Sequence, residues 1–337
     1  MENTDYIKLF DSFSNCNVLI VGDVMVDSYL WGKVDRISPE APVPIVRVKK
    51  RENRLGGAAN VALNIKALGA NPILCSVIGK DQKGEEFLGL MKAEHMQIKG
   101  ILQSDRRITT TKFRVIGNKS QLLRVDEETD ILLNDNDRIE LLSHFENILE
   151  QTRIDVIIFQ DYDKGVISEP LIEHIVLVAK KKGIPVTVDP KKRNFSFYRN
   201  VTLFKPNLKE LKEGLKLDFD PGDHNKLLEA VAELRHHIKP EIMLITLSED
   251  GVLVAYQKDG IKKEKIIPTH VRSISDVSGA GDTVISVASL CLARKVDPVS
   301  MAYLANLAGG LVCEKVGVVP VDKKQLLNEA SELQQND

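Results

Sequence analysis

Residues 16–23 read CNVLIVGD, and the apolar run Val18, Leu19, Ile20 and Val21 stops abruptly at a glycine and an aspartate. A strand exposed on one face alternates apolar and polar positions, whereas a strand covered on both faces is apolar throughout. This run therefore predicts a buried strand of a parallel sheet. Comparable runs follow at 154–161 (IDVIIFQD), 184–190 (IPVTVDP), 201–207 (VTLFKPN) and 241–248 (EIMLITLS). Helical patterns separate several of them. In SEPLIEHIVLVAKKKG, residues 168–183, Glu169 and Pro170 stand in the opening turn and Gly183 at the stop. Strand alternating with helix over most of the chain predicts an α/β fold with a doubly wound, mostly parallel sheet.

One region departs from this pattern. Residues 31–54 and 108–126 alternate rather than run apolar. In ITTTKFRVIGNKSQLLRVDEE, residues 108–128, Thr109, Thr111, Phe113 and Val115 share one face, and Thr110, Lys112, Arg114 and Ile116 share the other. Gly117-Asn118 suits a turn between two such strands. A small antiparallel sheet would read this way, as a lid over the mouth of the main sheet or as a dimer surface. No internal repeat or linker interrupts the chain, so residues 1–337 are read as one domain with the lid inserted. The terminal SELQQND is polar and expected to fray.

Composition narrows the function classes. The 337 residues are 43% hydrophobic and 28% charged, with a net charge of −2, which gives no support for a nucleic-acid partner. The basic runs Lys180–Lys182 and Lys191–Arg193 read as solvated faces. The N-terminus lacks the apolar stretch of a secretory signal. No segment approaches the roughly 20 apolar residues of a membrane span. Cys16, Cys75, Cys291 and Cys313 are far apart and form no C-x-x-C pair, and Cys291 and Cys313 lie in apolar helical patterns that suggest buried thiols. A cytoplasmic protein without a membrane partner or a structural metal is expected.

Several apolar strands end in an acid or amide: Asp23, Asp161, Asp189 and Asn207. Ligands of open α/β sheets bind beyond the carboxyl ends of the strands, although a single Asp there also serves as a turn former. Two glycine-rich elements bear on the same crevice. In RLGGAANVALNIKALGA (54–70), Gly56-Gly57 precedes a helix with Val61, Ile65 and Leu68 on one face and Gly69 at its stop. Such glycines bring backbone N–H groups close to a polar ligand, and Asn60 adds a hydrogen-bonding side chain. In DVSGAGDT (276–283), a Gly-Ala-Gly turn leaves backbone N–H groups uncovered at a helix start, with Asp282 beside them. Orphan donors and the helix dipole favour an anion. An anion site beside a carboxylate that can accept a proton is what phosphoryl transfer to an alcohol needs. A simple first-turn helix acid gives the same octapeptide. Neither G-x-x-x-x-G-K-[ST] nor a G-x-G-x-x-G after the first strand is present, which lowers P-loop and dinucleotide-dependent readings.

With these pieces in order, the chain resembles the ribokinase-like (PfkB-type) sugar kinases over nearly its whole length. GGAANVALNIKALGA is similar to the N-terminal signature of that family, and DVSGAGDTVISV to its C-terminal one, with Val277 where Thr is usual. The resemblance implies Asp282 as catalytic base and Gly279, Ala280 and Gly281 as the anion hole. It implies that Asp23, Asp27, Gly56, Gly57 and Asn60 hold sugar hydroxyls. Through N-x-x-E in KPNLKE, it implies that Asn207 and Glu210 organise Mg²⁺ through water. ATP would lie along Asn207, Thr246, Ser248 and Gly251, with Asn306 near the adenine.

Three further stretches, residues 18–48, LLRVDEE (122–128) and DYDKGV (161–166), resemble the members that phosphorylate D-glycero-D-manno-heptose 7-phosphate at C1. That resemblance implies a role in ADP-heptose and lipopolysaccharide core synthesis. A phosphorylated sugar requires a second anion site, for which Lys112, Arg114, Arg124 and Lys164 are the candidates. Asp163 stands where that subgroup usually has glycine. The nucleotidyltransferase domain that some such kinases carry, about 100–150 residues, is expected to be a separate protein. A homodimer through the lid is expected. A kinase of an unphosphorylated sugar or nucleoside stays open, as does a non-catalytic sugar- or nucleotide-sensing module.

Overall fold

The computed structural model describes residues 5–118, 120–270 and 272–336. The early strands are β1 (Asn17–Gly22), β2 (Val24–Ile37), β3 (Pro44–Gly57), β4 (Asn71–Gly79), β5 (Ile101–Ser104), β6 (Thr111–Gly117) and β7 (Ser120–Glu127). The later ones are β8 (Val156–Gln160), β9 (Val186–Asp189), β10 (Leu203–Phe204), β11 (Ile242–Thr246), β12 (Val252–Lys258) and β13 (Ile261–Ile267). The helices are α1 (Tyr6–Ser12), α2 (Ala58–Ala67), α3 (Gln82–Ala93), α4 (Asp135–Gln151) and α5 (Glu169–Lys182). They continue as α6 (Leu208–Leu215), α7 (His224–Ile238), α8 (Ala280–Ala293), α9 (Pro298–Cys313) and α10 (Lys323–Asn336).

The nine-stranded main sheet has the order β13-β12-β11-β10-β9-β8-β1-β4-β5. The five apolar runs of the sequence are neighbours in it, from β11 to β1, and all pair in parallel. Only β12 and β13 are antiparallel additions at one edge. The unbroken run in β1 has the predicted cause. Val18 and Ile20 enter one core with α2, α8 and α9, while Leu19 and Val21 enter the other with α4, α5 and α7. All four are fully buried, and each such side chain contributes about 1.5–3 kcal/mol. α5 spans the predicted residues and stops at Gly183 in the left-handed conformation, φ 65°.

The second sheet has the order β3-β2-β6-β7. Its outer pairs are antiparallel, and its central pair, β2 with β6, is parallel. Its strands begin earlier than the predicted 31–54 segment. β2 starts directly behind Asp23, and β3 runs straight into α2. The alternation is lost there because Val24, Met25 and Val26 are buried at the root of the lid. The lid therefore grows out of the main sheet's carboxyl end. The four cysteines are free, Cys16, Cys75 and Cys291 buried and Cys313 half-buried. Among the described residues, no helix is long and apolar enough to cross a membrane.

Candidate functional site

α8 opens at Gly279, whose φ of 84° is left-handed; a side chain there would be strained. The Ala280 N–H reaches Val277 O and the Thr283 N–H reaches Gly279 O. The N–H groups of Gly281 and Asp282 fall in the first turn, where the helix itself supplies no acceptor. No side chain caps this end. The donor-rich turn expected from the sequence is thus present at a helix N-terminus.

Asp282 is 5% exposed. Its Oδ2 accepts from Asn60 Nδ2 at 2.6 Å, and its Oδ1 from the Tyr162 hydroxyl at 2.7 Å and Gln160 Nε2 at 3.1 Å. Burial pushes the carboxyl up to about 6, held back by the Asn60 and Tyr162 donors, with Asp189 raising it further and Lys205 opposing. A helix-capping acid would have no need of three donors from two distant segments, α2 and the end of β8. The geometry is that of a held, partly basic carboxylate.

The carboxyl ends of β8, β9 and β10 supply the floor. Gln160 Nε2 bridges Asp282 and Asp189, at 3.1 and 3.2 Å. Lys205 pairs with Asp189 at 3.1 Å, both nearly fully buried. Lys191 pairs with Glu210 and lies 5.7 Å over the Tyr162 ring. Burial would lower the Lys191 ammonium, but Asp189 and Glu210 outweigh it and hold Lys191 above its usual value. Buried Lys205 and half-buried Lys191 therefore stand near the donor-rich turn. Asn60 Oδ1 and Gln160 Oε1 are buried and have no partner among the described residues, a rare state for amide oxygens and one that suits hydroxyl donors of a ligand.

Asp23 and Asp27 behave differently from each other. Asp23 Oδ2 accepts the backbone N–H of Tyr162 at 2.9 Å and Lys164 at 3.2 Å, while Oδ1 accepts Val166 N–H at 3.0 Å. It fastens the 162–166 loop, so its oxygens are already engaged. Burial raises it, against those three donors. Asp27 pairs through Oδ1 with Arg114. A Cβ on Gly56 would overlap the Asp27 carboxylate, and one on Gly57, at φ 61°, would overlap the Asp23 carbonyl. The glycine pair therefore admits close packing against both aspartates. Asp161 turns to the opposite face, where Tyr198 and Asn194 donate to Oδ2 at 2.7 and 2.9 Å. Burial, followed by the neighbouring Asp23, pushes it up to about 7.

The lid cations share one face. Lys112 stands opposite Asp27, Arg114 opposite both Tyr29 and Arg124, and Arg54 opposite Asp27. Arg54 and Arg114 lie 5.0 and 5.3 Å over the Tyr29 ring. Each predicted phosphate ligand carries a carboxylate partner. Lys112 meets Asp126 and Glu128 at 3.1 and 3.2 Å, Arg124 meets Asp126 at 3.0 Å, and Lys164 meets Glu128 at 2.7 Å. Asp163 does not pair with Lys164. It adopts φ 55°, a conformation that favours glycine, which accounts for glycine being usual there. Asp276, in the glycine loop, lies below the usual carboxyl range. Burial opposes this, and N–H donors from Ser278 and Gly317 together with Arg114 outweigh it.

Among the residues expected to meet the nucleotide, Asn207 and Glu210 form a capping box at the start of α6. Asn207 Oδ1 accepts from Glu210 N at 2.8 Å and Glu210 Oε2 from Asn207 N at 2.9 Å. Thr246 bridges to Asn207 across the strand ends. Exposed Ser248, at φ 56°, and Gly251, at φ 91°, shape the turn that follows. Asn306 donates to Pro268 O at 3.0 Å and Ile267 O at 3.4 Å, fastening the end of β13. No group of three or more His, Cys, Asp or Glu residues able to hold a metal ion is found among the described residues.

Sequence reasoning missed Gln160, Tyr162, Lys191, Lys205 and Arg54. Four of the five lie within two residues of the strand-end acids and amides that were singled out. The signal was strand periodicity: Gln160 and Asp161 must face opposite ways.

Residues 16–324 match the family described as pfkB family carbohydrate kinase. The chain is 40% identical over 318 residues to the bifunctional protein HldE of Magnetococcus marinus, covering 94% of this chain and 64% of that protein. It is 38% identical over 300 residues to the bifunctional protein HldE of Helicobacter pylori, covering 89% and 63%. This chain thus spans somewhat less than two thirds of those relatives' length. Among solved structures, phosphofructokinase-2 from Escherichia coli in complex with fructose-6-phosphate superposes with a TM-score of 0.75 at 19% identity, covering 94% of this chain and 99% of that one. Arabidopsis thaliana ribokinase complexed with ribose and ATP gives 0.67 at 16%, covering 93% and 98%. At these identities the two structures establish the ribokinase-like fold.

Proposed function

The chain belongs to the pfkB family of carbohydrate kinases, and we propose that the acceptor of its phosphoryl group is the C1 hydroxyl of D-glycero-D-manno-heptose 7-phosphate. The donor in this reading is ATP, and the product, the 1,7-bisphosphate, feeds ADP-heptose and lipopolysaccharide core synthesis. One observation carries the chemistry: a buried carboxylate, Asp282, held by three donors from two distant segments at the mouth of an uncapped helix. Asp282 takes the proton of the attacking hydroxyl. The turn at Gly279, Ala280 and Gly281 offers N–H groups to the transferring group, and Lys191 and Lys205 add positive charge beside it. Asn60 and Gln160 present unpartnered amide oxygens to sugar hydroxyls.

Mg²⁺ belongs to this reading as well. Asn207 and Glu210 are engaged with each other and with Lys191, so their donor set fits an ion held through water rather than by direct ligation. When bound, the ion screens the phosphate charge of ATP. Thr246, Ser248 and Gly251 border the same strand ends and are proposed to line the nucleotide, with Asn306 behind them.

The heptose phosphate rests on two supports: the resemblance of residues 18–48, 122–128 and 161–166, and the cations Lys112, Arg114 and Arg124 on one lid face with Lys164 in the loop after β8. We take residues 1–337 as one kinase domain, cytoplasmic, pairing through the lid as a homodimer. Leu123, Val125 and Ile37 are 55%, 48% and 60% exposed on that lid, which supports the pairing.

A second reading has an observation in its favour. The three lid cations and Lys164 already have carboxylate partners, as a kinase of an unphosphorylated sugar would allow. ADP release over heptose 7-phosphate, sedoheptulose 7-phosphate, fructose, ribose and adenosine separates the two. Charge-assisted bonds of about 1.5–3 kcal/mol each predict at least about tenfold higher kcat/KM for heptose 7-phosphate than for ribose, fructose or adenosine. Equal or better turnover of ribose or adenosine would favour the second reading.

A further inference from the structure

Asp282 Oδ1 and Oδ2 are not equivalent. A carboxylate oxygen has about two lone-pair sites. Oδ1 fills both, with the Tyr162 hydroxyl at 2.7 Å and Gln160 Nε2 at 3.1 Å, whereas Oδ2 fills one, with Asn60 Nδ2 at 2.6 Å. We infer that Tyr162 is the positioning residue of the base: by saturating Oδ1 together with Gln160, it leaves Oδ2 as the oxygen that receives the substrate proton. This rests on the reading of Asp282 as the base and adds which oxygen acts and what selects it.

Tyr162 is itself held for this task. Its backbone N–H is bonded to Asp23 Oδ2 at 2.9 Å, and the Lys191 ammonium lies 5.7 Å over its ring. Burial, with the adjacent Asp282, raises its hydroxyl well above the usual tyrosine value, so it stays a donor and does not compete for the proton. Proton transfer balances simply: the substrate O–H bond breaks, Oδ2 gains the proton, and the alkoxide electron pair forms the bond to phosphorus while the bond to the departing nucleotide breaks.

The charged groups facing Asp282 are Asp189 at the end of β9, Lys191 beyond it, and Lys205 beyond β10; α2 contributes the neutral Asn60. None of them is altered by Tyr162→Phe, which keeps the ring and removes one donor. A donor to the charged form lowers an acid, so its loss raises Asp282.

The test uses the full chain, with ATP and the sugar that releases ADP fastest. Wild type, Tyr162→Phe, Gln160→Leu and Asp282→Asn are compared by kcat, by KM for both substrates and by the pH profile of kcat, with thermal unfolding confirming each fold. Tyr162→Phe is expected to lose about tenfold or more in kcat with both KM values within about twofold, and its acid limb to move up by about one pH unit. Gln160→Leu should shift the limb in the same direction by less. A folded Tyr162→Phe with the wild-type acid limb, beside an inactive Asp282→Asn, would overturn the positioning role and leave the base standing. Native turnover in Asp282→Asn would overturn both.

Discussion

The crevice around Asp282 and the lid above it solve opposite electrostatic problems. In the crevice, charged groups are few, buried and fixed: Asp282, Asp189 and Lys205 are each at most 5% exposed and bonded across segments far apart in sequence. On the lid, charges stand at varied exposure on a twisted ribbon: Arg114 meets Asp27 of the neighbouring strand, Lys112 meets Asp126 and Glu128, and Arg124 meets Asp126 of its own strand. A preorganised site needs no rearrangement when charge develops. A lid of exchangeable pairs admits an anion by trading one partner for another. Under the proposed function, the difference teaches that chemistry and selectivity are housed separately: the main sheet would fix the reaction, and the small sheet would read the substrate.

The comparison breaks most readily at the base. Asp282→Asn is expected to lose at least about 10²-fold in kcat while calorimetry still registers ATP binding. Native turnover would remove the distinction between a reacting floor and a reading lid. On the lid, Arg114→Ala should raise KM for the phosphorylated sugar about tenfold, in line with one lost charge-assisted bond, with kcat changed far less. It should also lower the melting temperature, because Asp27 is left buried without its cation. If kcat falls as far as in Asp282→Asn, the lid takes part in the chemistry and the two regions are not separate.

The pH profile sharpens the same contrast. A base must be ionised to accept a proton, and Asp282 titrates at about 6. Activity should therefore be full above that pH and fall about tenfold per unit below it. A limb near pH 4, the range of an ordinary carboxylate, would place the base outside this buried network. The smallest effect is expected at the capping box. Asn207→Ala removes one cap bond and should cost about 1 kcal/mol of stability, measured by denaturant unfolding. A loss of activity well beyond that of stability would show that Asn207 serves the nucleotide directly.

Much of the fold was legible because the parallel strands are buried on both faces, so their sequences run apolar without a break. β4 was missed because Pro72 and Ser76 interrupt its pattern, and β13 because an edge strand rich in lysine resembles solvated loop. The lid was legible over residues 31–54 and 108–126 but not at its root, where burial of Val24, Met25 and Val26 hides the alternation. In the site, Asp282 and Asn60 could be named from the glycine-rich stretches flanking them. Gln160, Tyr162, Lys191 and Lys205 could not, since their convergence depends on the order β10-β9-β8 placing distant residues side by side. The N-x-x-E motif shows the converse, because the same two residues that resemble a magnesium element also make a complete helix cap.

One measurement tests the division of labour most directly: ADP release with D-glycero-D-manno-heptose 7-phosphate against the same heptose without its phosphate. Removing the phosphate leaves the C1 hydroxyl and its base untouched and withdraws only what the lid reads. The account predicts that kcat/KM falls at least about tenfold, mostly through KM. Equal kcat/KM for the two sugars would contradict it.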